Sequence, residues 1–203
     1  ALMAIPPTLT DLPKQAYLDY FSALAEATAL PLIIQDASAY VGQAIPLEVL
    51  VKLLEKFGPD KILFKPEAEP LGPNLSALRD ATNFQAKIFE GSGGIMLIDS
   101  FRRGITGTMP GMDLLDGIIE VWHALQDDNH VRAYEIYFPI CALIALQLQA
   151  GLDGLLAIEK YLLVKRGLFT TANRRKPFKW ELDKETQLEI DRLFTILQDY
   201  LYD

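Results

Sequence analysis

A lysine that closes an apolar run, with a glutamate two residues later, is the pair of side chains here with the most chemistry in it. Lys61-Ile-Leu-Phe-Lys65 is apolar through Ile62, Leu63 and Phe64, then stops at Lys65, Pro66 and Glu67. Leu63 and Phe64 would point to opposite faces of a strand and both are apolar, which suits a parallel strand covered on two sides. Desolvating an ammonium is costly, so a buried lysine holds a larger fraction of neutral amine. A neutral amine attacks carbonyl carbon and forms a Schiff base. The plainer alternative is a lysine whose stem lies along the strand end while its head reaches water. Glu67 shares a strand face with Lys65 at i, i+2 and is a candidate general acid and base; a solvated rim glutamate is the alternative.

The other notable polar residues also fall where an apolar run has just ended. Gln35-Asp36-Ala37-Ser38 follows one run, and Gln35 and Asp36 could orient substrate hydroxyls, unless Asp36 caps the next turn. Glu90-Gly-Ser-Gly-Gly94 follows another, and Gly91 and Ser92 could offer backbone N–H groups to a carboxylate. The same glycines could equally do no more than turn the chain. Thr106 and Thr108 are rim donors or ordinary β-branched strand residues. The Glu90–Gly94 turn lacks a following Lys-Ser/Thr, so it is no P-loop, and no G-x-G-x-x-G opens a helix after a strand.

Elements of one kind must place these residues. Five short apolar runs, Leu2–Ile5, Leu32–Ile34, Ile62–Phe64, Ala86–Phe89 and Gly104–Met109, alternate with helical patterns at 14–28, 47–57, 75–81 and 95–103. That alternation predicts βα units and a parallel sheet, with the polar residues gathered on one rim. An open doubly wound sheet would also put ligands at strand carboxyl ends. After Met112 the strands cease, and 113–126, 131–150, 155–166 and 184–202 read as helices, the first capped by Asp113. The domain reading is 1–126 as a partial (β/α) barrel and 127–203 as a C-terminal helical extension. Trp122, Tyr134, Tyr137 and Phe138 have the spacing of core residues, and Arg174-Arg-Lys176 reads as a solvated loop.

Composition narrows the partners. Half of the 203 residues are apolar and 23% charged, as one well-packed domain requires. A net charge of −8 argues against nucleic acid or an anionic membrane surface. The single cysteine, Cys141, lies in an apolar run and reads as a buried thiol in a reducing compartment, hence a cytoplasmic protein. The two histidines, His123 and His130, make no cluster with metal-ligand spacing, so neither a metal nor a cofactor is expected. The longest apolar candidate for a membrane span, 136–148, is short and contains Pro139.

Four segments carry a resemblance. Leu30-Pro-Leu-Ile-Ile-Gln-Asp36, Ile62-Leu-Phe-Lys65, Phe89-Glu-Gly-Ser-Gly93 and Gly104-Ile-Thr-Gly107, in this order and spacing, resemble the C-terminal part of the dihydrodipicolinate synthase / N-acetylneuraminate lyase superfamily. The resemblance implies a (β/α)8 TIM barrel, represented here by strands four to eight and a helical tail, with Lys65 as the Schiff-base lysine of the sixth strand. It implies a small 2-oxo acid as substrate and a homo-oligomer. Where the commonest members have a relaying tyrosine and often a carboxylate-binding arginine, this chain has Gln35 and Tyr40. The Gln-Asp-Ala opening, Lys65-x-Glu67, Glu90-Gly91 and Thr106-Gly-Thr-Met109 look more like the subgroup that dehydrates 2-keto-3-deoxy sugar acids. The expected activity is therefore a dehydratase or aldolase of such an acid, with a dihydrodipicolinate synthase-like condensation as the alternative. A different class is also open: a truncated homologue that acts by association, since Leu2–Ile5 reads as a buried strand already under way and strands one to three have no counterpart here.

Overall fold

The computed structural model describes residues 1–7, 12–38 and 42–201, so Tyr40 and Thr8 lie outside the described residues. The chain divides into two compact units, residues 1–92 with 96–109, and residues 93–95 with 110–203. The units thus part near Met109, whereas the sequence divides at 126.

The first unit is built of βα steps: β1 (Leu2–Ala4), α1 (Lys14–Glu26), β2 (Leu32–Gln35), α2 (Leu47–Phe57), β3 (Ile62–Lys65), α3 (Leu71–Ala81), β4 (Phe89–Glu90), α4 (Leu97–Arg102) and β5 (Gly107–Thr108). All pairings are parallel, in the order β1-β2-β3 and β4-β5, and a single bridge from Phe64 to Ile88 links the two groups. Leu32, Ile34, Ile62 and Phe64 are buried on one side of the central pair. Helix α2 shows why such helices form. Val49, Leu50, Leu53 and Leu54 make one buried stripe, Pro46 precedes the first turn, and Gly58 at φ 81° ends it.

Among the described residues neither β1 nor β5 pairs with the other, so the sheet stays open. β1 is not the buried strand that its apolar sequence suggests: Leu2 is 47% and Met3 53% exposed. One neighbouring strand covers only one edge, and apolar type alone does not decide burial. The last strand is also shorter than its apolar run, since only Gly107 and Thr108 join a ladder.

The second unit is helical: α5 (Leu115–Gln126), α6 (His130–Leu148), α7 (Gly151–Lys165) and α8 (Lys184–Leu197), with a 3-10 turn at Gln198–Tyr200. Helix α6 runs unbroken through Pro139 and is, by length and composition, apolar enough to cross a membrane, longer than the stretch that the sequence suggests. It packs against α5, α7 and α8, with Ala133, Ile136, Ile140, Leu143 and Ile144 buried, the pattern of a core helix. Asn129 caps its start by accepting from the Arg132 N–H at 3.2 Å.

Four expectations change in this unit. Asp113 does not cap α5, whose N-cap is Leu114; its carboxylate instead accepts a hydrogen bond from the Gln147 amide. Phe138 is 62% exposed rather than core, stacked at 5.3 Å from Tyr134. Cys141 is half-buried, and what burial it has pushes its thiol up from the ordinary value. Arg174 is no solvated loop residue. Its guanidinium lies 4.0 Å from the Phe178 ring centroid, donates to the Trp180 carbonyl at 2.9 Å and pairs with Glu181.

Candidate active site

The central strand pair sets the geometry. β2 and β3 are in parallel register with Gln35 opposite Lys65, so both side chains leave the carboxyl end of the sheet on one face. Lys65 is 9% exposed. Its Nζ donates to Glu67 Oε1 at 2.7 Å, and the Gln35 amide donates to the same oxygen at 2.9 Å. One carboxylate oxygen is thereby held between an amine and an amide that come from neighbouring strands. β3 ends at Lys65, yet the chain beyond it, through Pro66, brings Glu67 back to the amine's side.

Gly91 closes the pair from the third side. A Cβ built on Gly91 would sit 2.8 Å from both Cγ and Oε1 of Glu67 and 3.1 Å from Cε of Lys65. A side chain there would have to displace Glu67, so the backbone of the turn after β4 lies directly against the lysine and glutamate. Lys65, Glu67, Gln35 and Gly91 are therefore brought together by three consecutive strand ends.

The remaining candidates are placed differently. Asp36, one residue beyond Gln35, turns to the opposite face, where it lines a small cavity with Ile45, Leu50, Pro66, Ala68 and Leu78. Both of its oxygens are engaged in the loop, Oδ1 by the Ser38 N–H at 3.0 Å and Oδ2 by the Ile45 N–H at 2.8 Å. Ser92 spends its N–H on Glu90 Oε1, and its hydroxyl oxygen accepts from the Met96 N–H at 2.9 Å. Thr106 precedes β5; its N–H donates to the Ile88 carbonyl at 2.8 Å and the residue is exposed.

One residue that the sequence did not single out as a site member joins this rim, bonded there by Thr108, one of the two threonines weighed as rim donors. Glu90 is fully buried, at 0% exposure. Its Oε1 takes the Ser92 N–H and its Oε2 takes the Thr108 hydroxyl at 2.7 Å. The signal available in the sequence was a glutamate directly before the glycine turn, with threonines at i, i+2 in the next run. Which threonine answers it depends on the pairing of Glu90 with Thr108, which only the fold supplies.

Among the described residues no group of three or more metal-binding side chains comes together. The arrangement can do amine chemistry: a shielded lysine, a carboxylate bonded to it, and an amide that holds the carboxylate in place. Aldehydes and ketones are what such an amine attacks.

No protein-family model matches the chain. An L-2-keto-3-deoxyarabonate dehydratase from Azospirillum brasilense is 25% identical over 198 residues, which is 93% of this chain and 60% of that protein. The chain thus spans about three-fifths of the length of that relative. A dihydrodipicolinate synthase from Rhodopseudomonas palustris superposes with a TM-score of 0.81 at 24% identity, over 96% of this chain and 65% of that one. A Ruminococcus gnavus sialic acid aldolase, altered at its catalytic lysine, superposes with a TM-score of 0.83 at 17% identity, over 99% and 66%. In sequence and in fold alike, the chain is similar to the dihydrodipicolinate synthase / N-acetylneuraminate lyase superfamily, whose barrel proteins are its structural neighbours.

Proposed function

We propose that Lys65 forms a Schiff base with a 2-oxo acid, and that the protein acts as a dehydratase or aldolase of a 2-keto-3-deoxy sugar acid. The observation that carries this reading is the 2.7 Å contact between Lys65 Nζ and Glu67 Oε1 at the end of β3. In the proposed course, the amine adds to the C2 ketone and water leaves, which gives an iminium. The iminium acidifies C3, and Glu67 takes that proton to form the enamine. The enamine then expels the C4 hydroxyl as water, with the proton returned by Glu67, and water releases the product from Lys65. In the aldolase variant Glu67 instead takes the proton of the C4 hydroxyl, the C3–C4 bond breaks to release an aldehyde and leave the enamine, and Glu67 returns the proton to C3.

In this reading β1 to β5 are the counterparts of strands four to eight of an eight-stranded barrel, and the substrate's carboxylate meets the turn at the Gly91 backbone, since the Ser92 N–H is taken by Glu90. Gln35 would face the hydroxylated part of the acid, whereas Asp36, turned to the opposite face with both oxygens engaged, would hold the loop after β2, and the protein assembles as a homo-oligomer. Similarity to a sugar-acid dehydratase supports the substrate class. Gln35 supports it too, because an amide can bond a sugar hydroxyl but cannot exchange a proton as a phenol does, and such help is typically worth about 10²–10⁴-fold.

The test is to incubate the protein with pyruvate or 2-keto-3-deoxy sugar acids, reduce with borohydride and map the adduct by mass spectrometry. The adduct is expected on Lys65; one on Lys61 or Lys87 with Lys65 free would overturn the assignment. A side-by-side assay then ranks the substrates. Turnover of pyruvate with aspartate semialdehyde within tenfold of the best sugar acid would favour the condensing reaction instead.

A further inference from the structure

The carboxylate of Glu90 has no part in the steps above, although it is the most thoroughly buried acid in the first unit. A carboxylate is costly to bury, and such groups persist where their oxygens are satisfied and their removal would disturb something. Both oxygens of Glu90 are satisfied from its own neighbourhood, one by Ser92 N–H and one by the Thr108 hydroxyl. Its carbonyl also accepts from the Met109 N–H at 3.0 Å. The side chain therefore ties the residue after Gly91 to the strand beside it. β4 and β5 share a ladder of only two residue pairs, Phe89 with Gly107 and Glu90 with Thr108, so backbone pairing alone holds this turn weakly.

What the turn touches gives the tie its purpose. Gly91 lies between Glu90 and Ser92, and its backbone is the wall against Lys65 Cε and Glu67. We propose that Glu90 is a positioning residue: its carboxylate, held by Ser92 and Thr108, clamps the Gly91 turn against the Lys65–Glu67 pair and sets how far the amine is shielded from water. It touches no reacting atom, and the proposal rests on reading Lys65 as the amine of the site.

The clamp makes an asymmetric demand on substitutions. Glu90→Gln keeps the volume and one oxygen for the Ser92 N–H, while its NH₂ can donate to the Thr108 hydroxyl, since a hydroxyl both gives and accepts. Glu90→Ala loses both bonds and leaves the part-buried Ser92 N–H without its acceptor.

The experiment is trace acetylation of the intact protein with isotopic acetic anhydride, read as the labelling of Lys65 relative to exposed Lys52. Lys61, at the other end of β3 and bonded to the Leu30 carbonyl at 2.7 Å, reports whether the strand itself has come apart. In Glu90→Ala, loss of both bonds, each at the low end of a hydrogen bond's net worth, should raise Lys65 labelling about fivefold, with Lys61 unchanged and Glu90→Gln within twofold of the wild type. Lys65 labelling in Glu90→Ala that stays at the wild-type ratio would overturn the proposal, as would Lys61 rising in step with Lys65. Should Glu90→Ala fail to fold, Thr108→Val removes only the donor at Oε2, and a rise of about twofold is expected there; no rise would overturn the proposal as well. Acetylation needs no substrate, so it decides the clamp separately. A wild-type protein that traps no pyruvate at Lys65 would sink the Schiff-base reading instead.

Discussion

A buried ionisable side chain in each unit, Lys65 in the first and Asp113 in the second, faces a charged partner, and the two pairings are built on opposite terms. In the first unit Lys65 meets Glu67, opposite charges in direct contact, with Gln35 adding a second donor to the shared oxygen. In the helical unit Asp113 faces Glu159, like charges, with the Gln147 amide and the Arg166 guanidinium as compensation. Burial, and then the Glu159 carboxylate, push Asp113 up to about 6. An attractive pair at a strand end suits the proton transfer proposed for it, whereas a repulsive pair among helices stores a dependence of stability on pH. Buried charge alone therefore does not mark a site; the sign of the partner and the access of a substrate do.

Breaking the first pair gives the largest effect. Lys65→Ala should abolish the borohydride-trapped adduct and turnover together, with circular dichroism unchanged, because a rim side chain contributes little packing. Turnover that survives would remove the amine from the comparison. Glu67→Gln should keep the adduct but lower turnover by about 10²–10⁴-fold, the usual range for general acid–base catalysis; loss of trapping with turnover intact would reverse the roles.

The second pair is tested by pH. Asp113 binds its proton more tightly in the folded protein than in the unfolded chain, where its ordinary value is 3.8. Its contribution to stability is therefore full below about pH 4 and is lost as pH rises through about 6, a change of about 3 kcal/mol. Asp113→Asn keeps an acceptor for Gln147 and should erase that slope, measured as the difference in Tm between the two proteins from pH 4 to 7. An unchanged difference would show that the like-charge pair is not strained. The smallest effect belongs to Gln35→Leu, which removes one of the two donors at Glu67 Oε1. About a tenfold loss of turnover is expected, with more of it in kcat than in KM.

Much of the first unit could be read from residue types because its signals are local. The apolar run before Lys65 and the i, i+2 step to Glu67 need only strand alternation, and both side chains emerge together as that alternation requires. Gln35 was placed near the substrate, yet its bond to Glu67 depends on β2–β3 register, which residue types do not specify. The burial of Glu90 and its bond to Thr108 escape the sequence because strands of two residues leave no periodicity to detect, and because an acid's burial is set by its partners. The same holds for Arg174, where a ring and a carbonyl seven residues or fewer away turn a basic tract into a folded loop. Phe138 failed in the other direction: helical spacing named a face without saying what covers it.

The register that sets Gln35 opposite Lys65 also makes the sheet a ruler for assembling the site. If β3 were to settle one residue out of step, Phe64 would take the place opposite Gln35 and Lys65 would swing to the helix-covered side. Such a protein would keep nearly all of its helix, and far-ultraviolet spectra would not tell it from the native form. Refolded preparations can thus be correct in content and dead in chemistry. The fraction of chains in true register would be counted by titrating the trappable amine, not by measuring secondary structure.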